Sequence, residues 1–97
     1  MPPRLLAADF IDPQIGYHFA YFGAFHQVKT QLHQHDFFEL LLILEGRIRH
    51  QVNGQGSVLQ AGDILLIRPD DLHRFRRYSD EHCVAANLAF TVQTLEA

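Results

Sequence analysis

The stretch His33-Gln34-His35-Asp36-Phe37-Phe38-Glu39, which runs into the apolar segment Leu40 to Leu44 and then Glu45-Gly46, constrains this chain more than any other. Read as a strand, residues two apart share a face, so His33, His35, Phe37, Glu39, Leu41 and Ile43 all point the same way. A helix would set His35 over Glu39 but turn His33 aside, and it would have to start without a cap in a run of bulky residues. The strand reading therefore puts two imidazoles and a carboxylate on the inner side of a β-structure. Leu40, Leu42 and Leu44 fall on the other side, so this strand needs cover on both. One cover is the core; the other is a neighbouring element, a partner subunit or a further domain.

The rest of the chain repeats strand and turn. Arg47 to Val52 alternates, with Ile48, His50 and Val52 on one face. Asn53-Gly54 is a type I′ hairpin signal that pairs this strand with Gln55 to Leu59, and Ala61-Gly62-Asp63 is a second turn. Asp63 to Ile67 reads as a short buried strand stopped by Arg68-Pro69-Asp70-Asp71. His73 to Tyr78 alternates again, with His73, Phe75 and Arg77 sharing a face, and Cys83 to Thr91 forms a last strand.

Upstream, the aromatic segment Tyr17 to Phe25 favours one strand or two short ones kinked at Gly23, and Val28 to Leu32 leads as a strand into the His-rich stretch. His18 and His26 are assigned to strand edges or the surface. Strands recur every ~8 to 12 residues with turn chemistry between them, and no helix is predicted; the fold class is all-β, a sandwich or small barrel.

With 97 residues the chain makes one domain, large enough to fold without disulfides. Residues 1 to 13 hold three of the four prolines and no periodicity, so they read as an N-terminal arm, and 14–97 as the domain. A formal charge of −3 excludes a global basic field for a phosphate backbone. Arg74-Phe75-Arg76-Arg77 is the local exception, and the nearby Asp70, Asp71, Asp80 and Glu81 are expected to cancel it. Cys83, the single cysteine, reads as a small core residue and fits a reducing compartment. Neither a signal-peptide pattern nor a window of ~18 apolar residues occurs, so a soluble, cytoplasmic protein without membrane contact is expected.

His33-x-His35, Glu39 and Gly46 match the first cupin motif at each of these positions, and Gly62 with His73 keeps the spacing of the second. Departures are a Gln27 where the family's preceding Gly falls, Arg68 for its Pro with Pro69 one place late, Asp70 for its inner Gly and Arg77 for its closing Asn. The resemblance covers about residues 25 to 80 and is more specific in its first half. The finer wording, His50-x-Val52-Asn53-Gly54, Gly62-Asp63-Ile64 and Pro69-x-Asp71-x-His73, resembles the N-terminal sensor domain of AraC-type transcription regulators, most of all those of chitooligosaccharide or chitobiose use.

The resemblance implies a small cupin, a jelly-roll β-barrel or sandwich, with His33, His35, Glu39 and His73 as metal ligands. Three neutral imidazoles and one carboxylate suit a divalent Zn, Mn, Fe or Ni ion. A hydrogen-bonded polar pocket without metal would use the same residues. It also implies a small-molecule effector, such as a sugar or sugar phosphate, and DNA contact only through a domain absent from this chain; short strands with a β-edge and an outer leucine face fit a homodimer. His50 would touch ligand or support the site, or be a partly buried strand histidine. Arg77 would bind an anionic group or lie solvated on the rim. Phe37, Phe75 and Tyr21 would stack on a ligand ring or simply fill core. The alternative is a stand-alone metal-dependent cupin enzyme, a dioxygenase, isomerase or lyase, using open metal positions. A plain dimerisation module is a third reading.

Overall fold

The structure, a computed structural model, describes residues 3–22, 32–80 and 82–96. Among the described residues nine strands follow in order: β1 (Arg4–Leu5), β2 (Tyr17–Phe22), β3 (Gln34–His35), β4 (Phe38–Glu45), β5 (Arg47–Val52), β6 (Gln55–Gln60), β7 (Ile64–Ile67), β8 (His73–Arg77) and β9 (Val84–Phe90). They form a four-stranded sheet ordered β2-β9-β4-β7, a three-stranded sheet β6-β5-β8, and a small parallel pair β1-β3. The two larger sheets make a jelly-roll-like sandwich, as the alternation and turn spacing predict. Gly23 and the expected strand Val28 to Leu32 fall on or run through positions 23–31, which lie outside the described residues.

The turns are where sequence chemistry placed them. Asn53 and Gly54 both have positive φ, 48° and 85°, the signature of the type I′ turn joining β5 to β6. Asp70 sits at φ 67°, the place where the cupin motif has glycine; aspartate tolerates this left-handed conformation better than most residues. Gly46 at φ 76° separates β4 from β5, and a Cβ there would overlap the His82 carbonyl oxygen.

Three expectations need correction. The strand expected to be buried over Asp63 to Ile67 is the edge strand β7, with Ile64 and Leu66 exposed on its outward side and Ile67 buried. The His-rich strand is not continuous: a bend at Asp36 and Phe37 divides it into β3 and β4. Before the bend His33 bridges β8 in the smaller sheet, with reciprocal backbone bonds of 2.9 Å to His73; after it, β4 joins the larger sheet. The segment thus crosses the sandwich at a corner, and because the period of two survives the bend, the inward face keeps its members. Helix also occurs: a 3-10 turn at Ala7–Asp9 and a five-residue helix α1, Val92–Glu96. Thr91 Oγ1 accepts the Thr94 amide at 3.1 Å, and Thr94 Oγ1 donates to the Gly16 carbonyl at 2.8 Å, tying α1 to the start of β2.

The main core joins Leu41, Ile43, Ile48, Leu59, Ile67, Phe75, Cys83 and Ala85 between the sheets, and a satellite joins Ile11, Phe37 and Ala89. Cys83 is core, as expected. The arm is partly fastened: β1 pairs beside His35, Asp36 Oδ1 accepts the Ala7 amide at 2.6 Å, and Ile11 is buried. On the outward face of the larger sheet, Tyr17, Phe19, Leu40, Leu44, Ile64 and Leu66 are exposed, and Phe38 stacks on Phe90 with ring centroids 5.3 Å apart. This is the second face that the leucine parity demanded cover for. No helix among the described residues is long and apolar enough to cross a membrane.

Candidate metal centre

Parity and the corner crossing deliver four histidines to one place. His33 and His35 come from either side of the β3 start, His73 opens β8, and His50 lies on β5, whose inward face also carries Ile48. All four are buried, His35 and His73 completely. Glu39 reaches them from the start of β4, its side chain 15% exposed. Burying so many polar groups costs free energy unless each finds a partner.

The donor atoms of His35, Glu39 and His73 lie within 4.8 Å of one another. Ligands held ~2.1 Å from a common ion sit roughly 3 to 4 Å apart, so small side-chain adjustments bring this trio to coordinating distance. The His33 ring packs beside that of His73, centroids 4.3 Å apart, and lies 6.4 Å from the His35 ring; its donor atoms are not part of the close trio. Of the four expected ligands, three therefore converge and the fourth flanks them.

Each imidazole of the trio is prepared for a cation. The Phe37 carbonyl lies 2.6 Å from His35 Nδ1 and accepts its proton, which leaves Nε2 as a bare lone pair 3.6 Å from Glu39 Oε1. His73 Nδ1 lies 3.2 Å from His50 Nε2. Nε2 of both His35 and His73 is buried without a hydrogen-bond partner among the described residues. Orphaned buried nitrogens of this kind are what a metal ion satisfies.

Electrostatics point the same way. Burial lowers the pKa of His35, and burial with the neighbouring His33 lowers His50 to about 4. Burial, then His33, His35 and His50, lower His73 to about 3. All three rings are neutral at physiological pH, the form that ligates. Burial raises Glu39 to about 7, so its carboxyl resists ionising until a positive charge arrives. The residues present fit a divalent transition ion.

The remaining expected site residues divide by parity. Phe37 stacks on the His35 ring at 4.4 Å and 16°, and Phe75 packs 4.8 Å from the His50 ring; both are buried walls of the site. Arg77 shares the parity of His73 but lies at the exposed end of β8, 3.9 Å from Asp80, apart from the histidines. The Tyr21 side chain lies outside those described. Two polar residues have roles the sequence did not reveal. Asp71, buried, accepts from Asn53 Nδ2 at 3.0 Å and from the Arg68 amide at 2.9 Å, locking the turn before His73. Asn87 pairs across from the inward Leu41, and its Oδ1 is buried without a partner among the described residues. A polar residue at an inward position of the otherwise apolar Val84–Ala89 run was the signal available for it.

The model of the AraC-like ligand-binding domain family matches residues 15–97. Among solved structures, a cupin protein from Bacteroides fragilis is similar at 25% identity, with a TM-score of 0.73 over 84% of this chain and 71% of that one. A cupin-like protein from Thermotoga maritima is similar at 19% identity, TM-score 0.70, over 87% of this chain and 65% of that one. A cupin 2 barrel protein from Salinispora arenicola is similar at 14%, TM-score 0.67, over 84% and 68%. These likenesses show the cupin fold. No curated protein matches.

Proposed function

The chain belongs to the AraC-like ligand-binding domain family, and from that membership we propose that it senses a small sugar-like effector in the mouth of its barrel, beside a divalent metal ion. The observation that carries the metal is the convergence of His35, Glu39 and His73 with two orphaned imidazole nitrogens. His33 completes the set by a side-chain movement from its place beside His73. Bound there, the ion supplies a Lewis-acidic centre that accepts hydroxyl or carbonyl oxygens of a ligand. Phe37 and Phe75 supply apolar walls, and His50 sets the orientation of His73.

The signal is a population shift. The arm lies directly beside the site: β1 pairs with the strand carrying His35, and Arg4 bonds Asp70 at 2.8 Å, three residues before His73. An effector that displaces or orders the arm changes surface presented to a partner, either a second copy of this chain or a DNA-binding domain carried elsewhere. A homodimer formed through the outward apolar face of the larger sheet gives the leucine parity its cover.

The test is a thermal-shift and calorimetric screen of metal-loaded protein against mono- and disaccharides, including chitobiose, and their phosphates. One of them raises Tm saturably and binds with 1:1 stoichiometry, and the response weakens in His35→Ala. A flat response across the panel overturns the sugar-sensor reading, whereas elemental analysis decides the metal separately.

A further inference from the structure

The outward face of the smaller sheet carries an unassigned feature. Arg49 on β5 stands directly opposite Arg76 on β8, and Gln51 opposite Arg74. Cross-strand partners have Cβ atoms about 5 Å apart, and like charges so placed destabilise a sheet. With Arg47, the face gathers four of the chain's eight lysines and arginines in a protein of net charge −3.

Of the acids expected to cancel the Arg74–Arg77 run, Asp70 and Asp71 are engaged elsewhere, which corrects that expectation for them, while Asp80 meets only Arg77 at the end of the run. Asp70 bonds Arg4 at 2.8 Å, Asp71 holds Asn53 and Arg68, and Asp80 faces Arg77. Glu81 lies outside the described residues. Neighbours in sequence are not neighbours in space here: Asp70 and Asp71 turn to Arg4, Asn53 and Arg68, not to the outward side chains of β8. Arg49 and Arg76 have no acidic partner among the described residues.

The arginines are also held in place. Tyr78 lies under two of them, with the Arg47 and Arg49 guanidinium carbons 4.4 and 5.0 Å from its ring centroid, and Arg74 Nε donates to Gln51 Oε1 at 2.9 Å. Between them is a concavity of about 270 Å³ whose lining includes Arg49, Gln51, Arg74 and Arg76 from the outward face, Gly56 and Val58 from β6, and also Ser57 and His50. Gly56 carries no side chain into it, which deepens the floor.

From this arrangement we propose an anion site on the outer face of the smaller sheet that binds a small phosphate-bearing molecule, with Arg49, Arg74 and Arg76 as its cationic contacts. Guanidinium forks match phosphate oxygens in bidentate geometry. A dianion seated here converts a repulsive cross-strand pair into a bridged one. The hollow's size suits a small phosphate compound, whereas a polymer backbone would need a long stripe. The arginines alternate along β5 and β8 with the buried His50 and His73, so the guanidinium groups stand on the opposite face of the sheet from the imidazoles, although His50 borders the hollow; the proposal needs no bound metal and does not rest on the sugar-sensor reading.

The experiment is isothermal calorimetry and thermal shift with sodium phosphate and pyrophosphate at constant ionic strength, with EDTA in every arm so that chelation plays no part. Pyrophosphate binds 1:1 and raises Tm saturably, more than phosphate does. Arg49→Gln and Arg76→Gln each weaken binding about tenfold, while Arg4→Gln leaves it unchanged. Without ligand, Arg76→Gln unfolds at a higher temperature than the parent, since the opposed charges are gone. The proposal is overturned by a shift no larger than sodium chloride produces, or by equal binding in the Arg49→Gln/Arg76→Gln double variant. It is also overturned by binding of a DNA oligonucleotide with pyrophosphate inert, which would make this a nucleic-acid face.

Discussion

His50 Nε2 lies 3.2 Å from His73 Nδ1, both rings buried, so the tautomer of one ring is coupled to that of the other. For His73 to ligate through its orphaned Nε2, its Nδ1 must carry the proton and donate it to His50. Only then is the lone pair on the side facing His35 and Glu39.

Replacing His50 should therefore separate metal affinity from stability. His50→Leu removes the acceptor and is expected to weaken Zn²⁺ or Ni²⁺ binding roughly 10- to 100-fold. It also removes an unpartnered buried nitrogen, His50 Nδ1, so metal-free stability should change little. His50→Gln retains an acceptor and should recover much of the affinity. Calorimetric titration of each variant beside its urea midpoint checks this; equal affinity in His50→Leu would show that His50 plays no part in orienting His73.

Stability of the metal-free protein should fall as pH drops below about 6.5. His50 and His73, with pKa values lowered to about 4 and about 3, take no proton in the folded state at pH 5, whereas unfolded histidine does. The unfolded state binds more protons, so stability rises with pH across this window. His35, shifted in the same direction, adds to the slope. Glu39 opposes it: raised to about 7, it holds a proton in the folded state that the unfolded state has released above about 4.5. The histidines outnumber it, and a net Tm loss on the order of 10 °C from pH 7 to 5 is expected. Saturating metal ionises Glu39 and removes its counter-slope, so the metal-loaded profile should be steeper. Thermal melts across pH with and without Zn²⁺ read both.

The backbone at Gly46 should be far less forgiving than at Gly54. Both have positive φ, yet a Cβ at Gly46 meets the His82 carbonyl while one at Gly54 has open space around it. Gly54→Ala should cost about 1 kcal/mol, the conformational penalty alone. Gly46→Ala adds backbone displacement where β4 gives way to β5 and should cost about 3 kcal/mol or more. Denaturant midpoints at constant m-value provide the comparison.

What could be read from the sequence was whatever depends on period and turn chemistry. The inward set from His33 to Ile43 survived because side-chain parity persists through the Asp36–Phe37 bend, even though strand continuity does not. Asn53-Gly54 fixed its hairpin because few residues tolerate both dihedrals. Helix α1 was not legible, since five residues cannot display a helical period and its cap is made by Thr91 within a β-like context. The opposed arginines are not legible for a different reason: nearness along the chain says little about charge cancellation, because the Arg49–Arg76 pairing is set by register across it. Asn87 was missed because its neighbours are apolar and its meaning comes from facing Leu41 inside the sandwich.

The outward leucine face yields the last prediction. Ile64 is 67% exposed and Leu66 51% on the edge strand β7, Phe19 is 58% exposed on the opposite edge strand β2, and Leu40 at 38% lies between them on β4, so large apolar side chains stand in water across this sheet face. If a second copy of the chain covers it, Leu66→Glu places a carboxylate in the middle of that contact and should turn a concentration-dependent dimer into a monomer. The substitution points away from the core, because Leu66 opposes Leu40 on the outward face while Ile67 is buried beneath, so monomer stability should change by less than about 1 kcal/mol. Light scattering behind size-exclusion chromatography, with matched thermal melts, separates the two effects. A parent chain that is monomeric at every concentration would leave this face to a different partner.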